Sequence, residues 1–122
     1  MERTEQILTI RPVIPGISEG HTLPLESFQN KTLRPILKLQ NSLFISLSRS
    51  QLSEFDIPKV NIERRKWFQQ RFQRDLSLRN VLIGMVVGLF TEEELHFYLS
   101  HKTEISKRII QMLSERVSNQ WY

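Results

Sequence analysis

The sequence predicts an all-α fold: a compact bundle of four to five helices preceded by an extended N-terminal arm. Three observations carry this. Apolar residues recur at three- and four-residue spacing through most of the chain after residue 32. Outside the arm, no segment alternates apolar and polar residues over any length. The run Thr91-Glu92-Glu93-Glu94 carries the signature of a helix start. The organisation that follows is an arm over 1–23 and a helical domain over 24–122.

The arm comes first. Arg11-Pro12-Val13-Ile14-Pro15-Gly16 holds two prolines and a glycine, which rules out continuous helix there. Ile7, Leu8, Ile10, Val13 and Ile14 are too apolar for a freely solvated tail, so the arm is expected to lie extended across the domain or across a neighbouring subunit. After a short turn near Pro24 to Phe28, the first long helix is placed at Thr32 as N-cap, with Pro35 in its first turn. Leu33, Ile36, Leu37, Leu39, Leu43, Phe44 and Leu47 then share a face of about 160° on a helical wheel. Ser48 to Pro58 reads as a polar connection. Asn61 is the expected N-cap of a second helix reaching about Asp75, its buried line being Phe68, Phe72 and Leu76 at four-residue spacing. Asp75 and Arg79 stand in the favourable order for an i, i+4 ion pair.

The third helix, Leu78 to Leu89, is apolar nearly all round and is expected at the centre of the bundle. Ser77, Gly84 and Gly88 form a stripe of small residues along it. Glycine inside a helix costs roughly 1 kcal/mol relative to alanine, so two of them point to a neighbour packed very close. In the capping box that follows, Thr91 is the N-cap and Glu94 reaches back, with Phe90 and Leu95 placed as a hydrophobic staple. A fourth helix starts at Glu92 and a fifth runs from Thr103 to Val117, with Ile105, Ile109, Met112, Leu113 and Val117 inward. Trp121 and Tyr122 close the chain and are expected either to fold back on the core or to anchor on another subunit.

Composition bounds the function. The 122 residues suit one domain, and the absence of cysteine excludes disulfides, thiolate metal sites and cysteine nucleophiles. Met1 to Ile10 lacks the apolar segment of a secretory signal. The longest apolar run, Val81 to Phe90, has ten residues against the ~20 of a membrane span. A cytoplasmic location without membrane attachment is expected. Net charge is +4, and residues 59–79 concentrate it: seven basic residues face only Glu63 and Asp75 there.

Within that segment Arg64, Trp67, Arg71 and Arg74 fall within about 80° on the helical wheel, an arrangement suited to stacking and anion binding. The competing reading is a solvated face whose arginine stems cover a half-buried tryptophan. His96 and His101 are five apart, the wrong spacing for two ligands on one helix, and His21 lies in the arm. No metal and no cofactor are expected. Glu92, Glu93 and Glu94 are explained by the cap and the helix dipole. Nucleophile elbows, SxxK pairs, dinucleotide fingerprints and P-loops do not occur, so no catalytic residue is assigned.

Residues 28–41 (FQNKTLRPILKLQN), 79–94 (RNVLIGMVVGLFTEEE) and the stretch 107–116 resemble a family of short helical proteins from Bacteroidetes, some of whose members carry the label glyoxalase. The resemblance covers most of residues 28–116. It implies no established activity, and the glyoxalase label sits badly with this chain. Glyoxalases of the common type use βαβββ units and metal ligands on strands, neither of which is legible here. If a site is shared, the resemblance puts it among Gln29, Asn30, Arg34, Gln40, Asn41, Arg79 and Asn80; the alternative makes these residues caps and inter-helix hydrogen bonds. The functional expectation is a non-enzymatic protein-interaction module that self-associates or binds another protein. A nucleic-acid or polyanion binder using the basic 59–79 helix is the alternative, and an enzyme such as a glyoxalase the third.

Overall fold

A computed structural model of the chain describes residues 2–14 and 24–122. It is helical throughout, and among the described residues there is no strand. The elements are α1 (Arg3–Ile10), α2 (Pro24–Phe28), a π-helical turn (Gln29–Leu33), α3 (Arg34–Leu39), α4 (Asn41–Leu52), α5 (Asn61–Arg74), α6 (Leu76–Val87), α7 (Glu92–Ser100) and α8 (Lys102–Gln120). The all-α class holds, but four to five helices undercounts the segments. The first predicted helix is divided at Gln40, where the backbone leaves the helical region. The arm, expected extended, forms α1 over its first part. Pro15, Gly16 and His21 lie outside the described residues.

Thr32 does not start a helix. α2, the π-helical turn and α3 run on without a break, since Phe28 and Leu33 both keep helical backbone angles. The wider π-turn immediately before Pro35 leaves room for a ring that has no N–H to offer the ladder. Thr32 is buried inside this turn and donates its hydroxyl to Glu94 Oε2 at 2.6 Å. α4 reaches Leu52, so Ser48 is buried helix rather than connection.

The central element is α8 and not α6. α8 buries Ile105, Ile109, Ile110, Leu113 and Val117 and packs most extensively on α5. Its polar Ser106, Ser114 and Ser118 are buried too, because a serine hydroxyl is small and finds a local partner. Ser114 Oγ donates to the Ile110 carbonyl at 2.6 Å, Ser106 Oγ pairs with the Tyr98 hydroxyl at 2.9 Å, and Ser118 Oγ donates to Asn61 Oδ1 at 3.3 Å. α6, apolar nearly all round, lies at the side of the bundle: Leu76 is 66% exposed and Val81 48%. Leu76 therefore does not extend the buried line of Phe68 and Phe72; α5 has ended at Arg74, and Leu78 takes the inward position. Asp75 makes no ion pair with Arg79. It caps α6 instead, accepting from the Leu78 N–H at 3.1 Å.

Aromatic rings knit the ends of the core. Phe68 lies 5.6 Å from Phe72, 5.1 Å from Trp67 and 5.0 Å from Trp121, centroid to centroid. Trp121 thus folds back on its own chain, and the Tyr122 hydroxyl donates to the Ile57 carbonyl at 2.7 Å. At the other end Phe28 contacts Phe90 edge-on at 5.4 Å and stacks with Phe97 at 5.0 Å. Full burial of such a side chain contributes about 1.5–3 kcal/mol.

α1 contributes no buried residue. Two arginines tie it down. Arg3 donates to the carbonyls of Gly88 (3.0 Å) and Phe90 (2.6 Å), and Arg11 to that of Leu89 (3.0 Å). These lie at the C-terminal end of α6, which has no basic residue of its own in its last turn. Arg11 also forms a bidentate pair with Glu94, at 2.7 and 2.8 Å. No helix among the described residues is long and apolar enough to cross a membrane.

Candidate functional site

The basic strip is divided by the fold. Arg64 occupies the same four-residue row as Phe68 and Phe72, so it points inward and is only 8% exposed. Its Nε donates to the Ser118 carbonyl at 2.8 Å and one terminal nitrogen to the Lys59 carbonyl at 2.8 Å. The guanidinium also lies over the Tyr122 ring, 5.3 Å from its centroid. Arg64 is therefore committed to holding the end of α8 and cannot belong to a solvent-facing strip. Arg71 is layered on Phe55 (4.1 Å) and Trp67 (5.5 Å). Trp67 is half-buried against Phe68, and Arg74 is exposed beside it. A shallow hollow of about 160 Å³ borders Trp67, Arg71 and Arg74.

The seven polar residues of the shared runs are not brought together in one place. Arg79 and Asn80, on α6, border a groove of about 690 Å³ whose far wall is Tyr98, Leu99, Lys102 and Ser106. Gln40 sits at the α3–α4 break and donates weakly to the Met85 carbonyl at 3.4 Å. Asn30 is half-buried on the π-helical turn. Gln29, Arg34 and Asn41 face the other end of α8. There Gln29 and Arg34 line a groove of about 410 Å³ with Arg116, Asn119 and Gln120.

That second groove is organised by amide relays. Arg108 donates to Gln29 Oε1 at 2.7 Å. Asn41 and Gln120 exchange hydrogen bonds of 2.8 and 2.9 Å, and Asn41 Oδ1 also accepts from Arg116 at 3.1 Å. Arg49, stacked on Trp121, donates to the Trp121 carbonyl and, at 3.3 Å, to that of Gln120. Burial, with the Arg34 charge nearby adding to it, holds Arg116 below the ordinary arginine pKa. Arg116, Arg108 and Arg49 are absent from the residues that sequence reasoning selects. Their signal was available only as basic residues on otherwise amphipathic helices, a pattern shared by any solvated face.

Glu94 is the other polar centre. Burial raises its pKa, but hydrogen bonds from Arg11, Thr32 and the Thr91 N–H, with the Arg11 charge, outweigh that and leave the carboxyl below its ordinary value. The capping box is present in full, with Thr91 N–H to Glu94 Oε1 at 2.9 Å and Glu94 N–H to Thr91 Oγ1 at 3.2 Å. Every acceptor position of Glu94 is thus engaged in holding elements together. His101 stacks on Phe97 at 4.4 Å, its Nδ1 3.1 Å from the Phe97 carbonyl, and His96 is exposed. Among the described residues no three His, Asp or Glu side chains converge on a point that could hold a metal ion. The buried Tyr98–Ser106 pair has no base hydrogen-bonded to it among the described residues.

Donors converge at one end of α8, and apolar surface flanks a groove at the other. Comparison of the chain with protein-family models, with curated proteins and with solved structures finds no match in any of the three.

Proposed function

We propose that the chain is a protein-interaction module that self-associates through the outward face of α6. One observation carries this reading: a helix with the composition of a bundle centre lies at the side, and its small-residue stripe is exposed. A Cβ built on Gly84 meets no atom within 4 Å, and Ser77, Gly84 and Gly88 are all exposed. Among the described residues no neighbour closes on Gly84, whereas a Cβ on Gly88, the C-cap of α6, would lie 3.1 Å from the Gly84 carbonyl oxygen, so the close approach implied at Gly88 is made by the helix end itself. Leu76 and Val81 flank the stripe, and Leu99, 56% exposed, continues the apolar surface across the adjoining groove. A second copy laying its own α6 along this face would cover these residues symmetrically, as two-fold interfaces do.

Light scattering over a concentration series tests the reading. The native chain should shift toward a dimer as concentration rises. Val81→Arg and Gly84→Arg, both at exposed positions, should stay monomeric with unchanged helicity. A strict monomer throughout, or a dimer indifferent to both substitutions, would overturn it. The polyanion reading has less to draw on, since Arg64 is buried and Arg71 is stacked, leaving Arg65, Lys66 and Arg74 exposed on α5.

A further inference from the structure

We propose that the groove between the Gln29–Leu39 stretch and the C-terminal half of α8 is a binding site for a phosphate-type oxyanion, with Arg34 and Arg116 as its paired cations and Gln29 and Asn119 as neutral donors. Two arginines from different elements line one groove of about 410 Å³. Neither forms an ion pair among the described residues, where the single salt bridge is Arg11–Glu94. Like charges brought together and left without an ion pair raise the local potential and attract an anion. Planar guanidinium forks suit the tetrahedral face of a phosphate.

The donors are pre-aimed. Arg116 spends one terminal nitrogen on Asn41 Oδ1, and the Asn41–Gln120 amide pair fixes that acceptor. Among the described residues its remaining N–H groups, and all those of Arg34, have no protein acceptor. Arg108 occupies Gln29 Oε1, so the Gln29 amino group is left as a donor. Leu37 and Met112 give the groove an apolar floor, where such bonds gain strength from reduced solvation. Burial and the nearby Arg34 depress the proton affinity of Arg116, which is the electrostatic cost that an anion would relieve. Glu115 also lines the groove and opposes an anion. It is exposed and pairs with neither arginine, so it tunes affinity without closing the site.

The phosphate could be free or borne on a small metabolite as a monoester, and titration calorimetry at low salt with inorganic phosphate and with glycerol phosphate separates the two. Saturable binding of either supports the site, and tighter binding of the ester identifies that source. Arg34→Gln, at an exposed position, should weaken binding at least ten-fold with the circular-dichroism spectrum unchanged, and Glu115→Gln should strengthen it several-fold. Arg74→Gln, outside the groove, should leave affinity as it was. No saturable binding of either compound overturns the proposal, as does an Arg34→Gln affinity equal to the native one. Equal losses in Arg34→Gln and Arg74→Gln would overturn it too, by showing diffuse charge attraction.

Discussion

Arg64→Met separates a structural arginine from a ligand-binding one. Methionine keeps the length and apolar stem of the side chain but removes two hydrogen bonds of 2.8 Å, to the carbonyls of Ser118 and Lys59. Lys59 is exposed, so water can replace its lost donor. Ser118 is fully buried, and its carbonyl retains only a long bond of 3.4 Å from the Trp121 N–H. A hydrogen bond to a charged group contributes about 1.5–3 kcal/mol, and an orphaned buried acceptor costs a similar amount. Relief of the buried charge offsets part of this, leaving a loss of about 2–3 kcal/mol. An unfolding entropy of about 2.1 cal/mol/K per residue makes 1 kcal/mol equal to roughly 4 °C for a chain this long, so Tm should fall by about 8–12 °C. Thermal and urea unfolding followed by circular dichroism measures it, with Arg74→Met as the comparison. A change within about 0.5 kcal/mol, the range of ordinary surface substitutions, would refute the reasoning and return Arg64 to the solvent-facing strip.

Two further outcomes follow from the same contacts. Because the folded-state pKa of Glu94 lies below its ordinary value, its stabilisation is full above that value and is lost as pH falls through the depressed one; acid unfolding of Glu94→Gln should be less steep than that of the native chain, and parallel curves would contradict the Arg11–Glu94–Thr32 arrangement. Ser48 Oγ is buried in α4 with no partner, so Ser48→Ala should raise stability by about 1 kcal/mol through removal of an unsatisfied hydroxyl and gain in helix propensity; a loss of stability in urea unfolding would show that the hydroxyl is bonded after all.

Local signals were legible and long-range ones were not. The capping box at Thr91 and Glu94 forms as read because both partners lie within one turn, and the carboxylate keeps lone pairs enough to accept from Arg11 and Thr32 as well. Thr32 and Asn61 carry the same capping preference, yet neither caps by its side chain. Tertiary partners claim them: Glu94 takes the Thr32 hydroxyl, and Ser118 with Arg64 takes the Asn61 oxygen, which sits just inside a helix whose cap is Val60. Periodicity found the buried faces but not their ranking. α6 looked central because apolar composition was read as burial, whereas α8 is central with three serines inside. The inward course of Arg64 was in fact available, since it lies on the row of Phe68 and Phe72; a charged residue at an apolar spacing was read by its charge instead of its position. For the candidate site, Gln29, Arg34 and Asn41 could be selected from sequence, but their companions on α8 are 75 or more residues away along the chain.

The distribution of the arginines follows a rule that neither net charge nor clustering expresses. α6 and α8 both end without a basic residue in the last turn, so the negative end of each helix dipole lacks a local counter-charge. Each is supplied from elsewhere in the chain: Arg3 and Arg11 reach the carbonyls that follow α6, and Arg49 and Arg64 those at the end of α8. Cations placed this way do two things at once. They satisfy carbonyls that a helix end leaves open, and they bind α1, α4 and α5 to helices distant in sequence. The positive charge of these four arginines is thus architectural. Arg34 and Arg116 stand outside that rule. Among the described residues neither meets a backbone carbonyl or a carboxylate, Arg116 donating only to the Asn41 side-chain amide, so the helix-end account that explains the other four does not reach this pair.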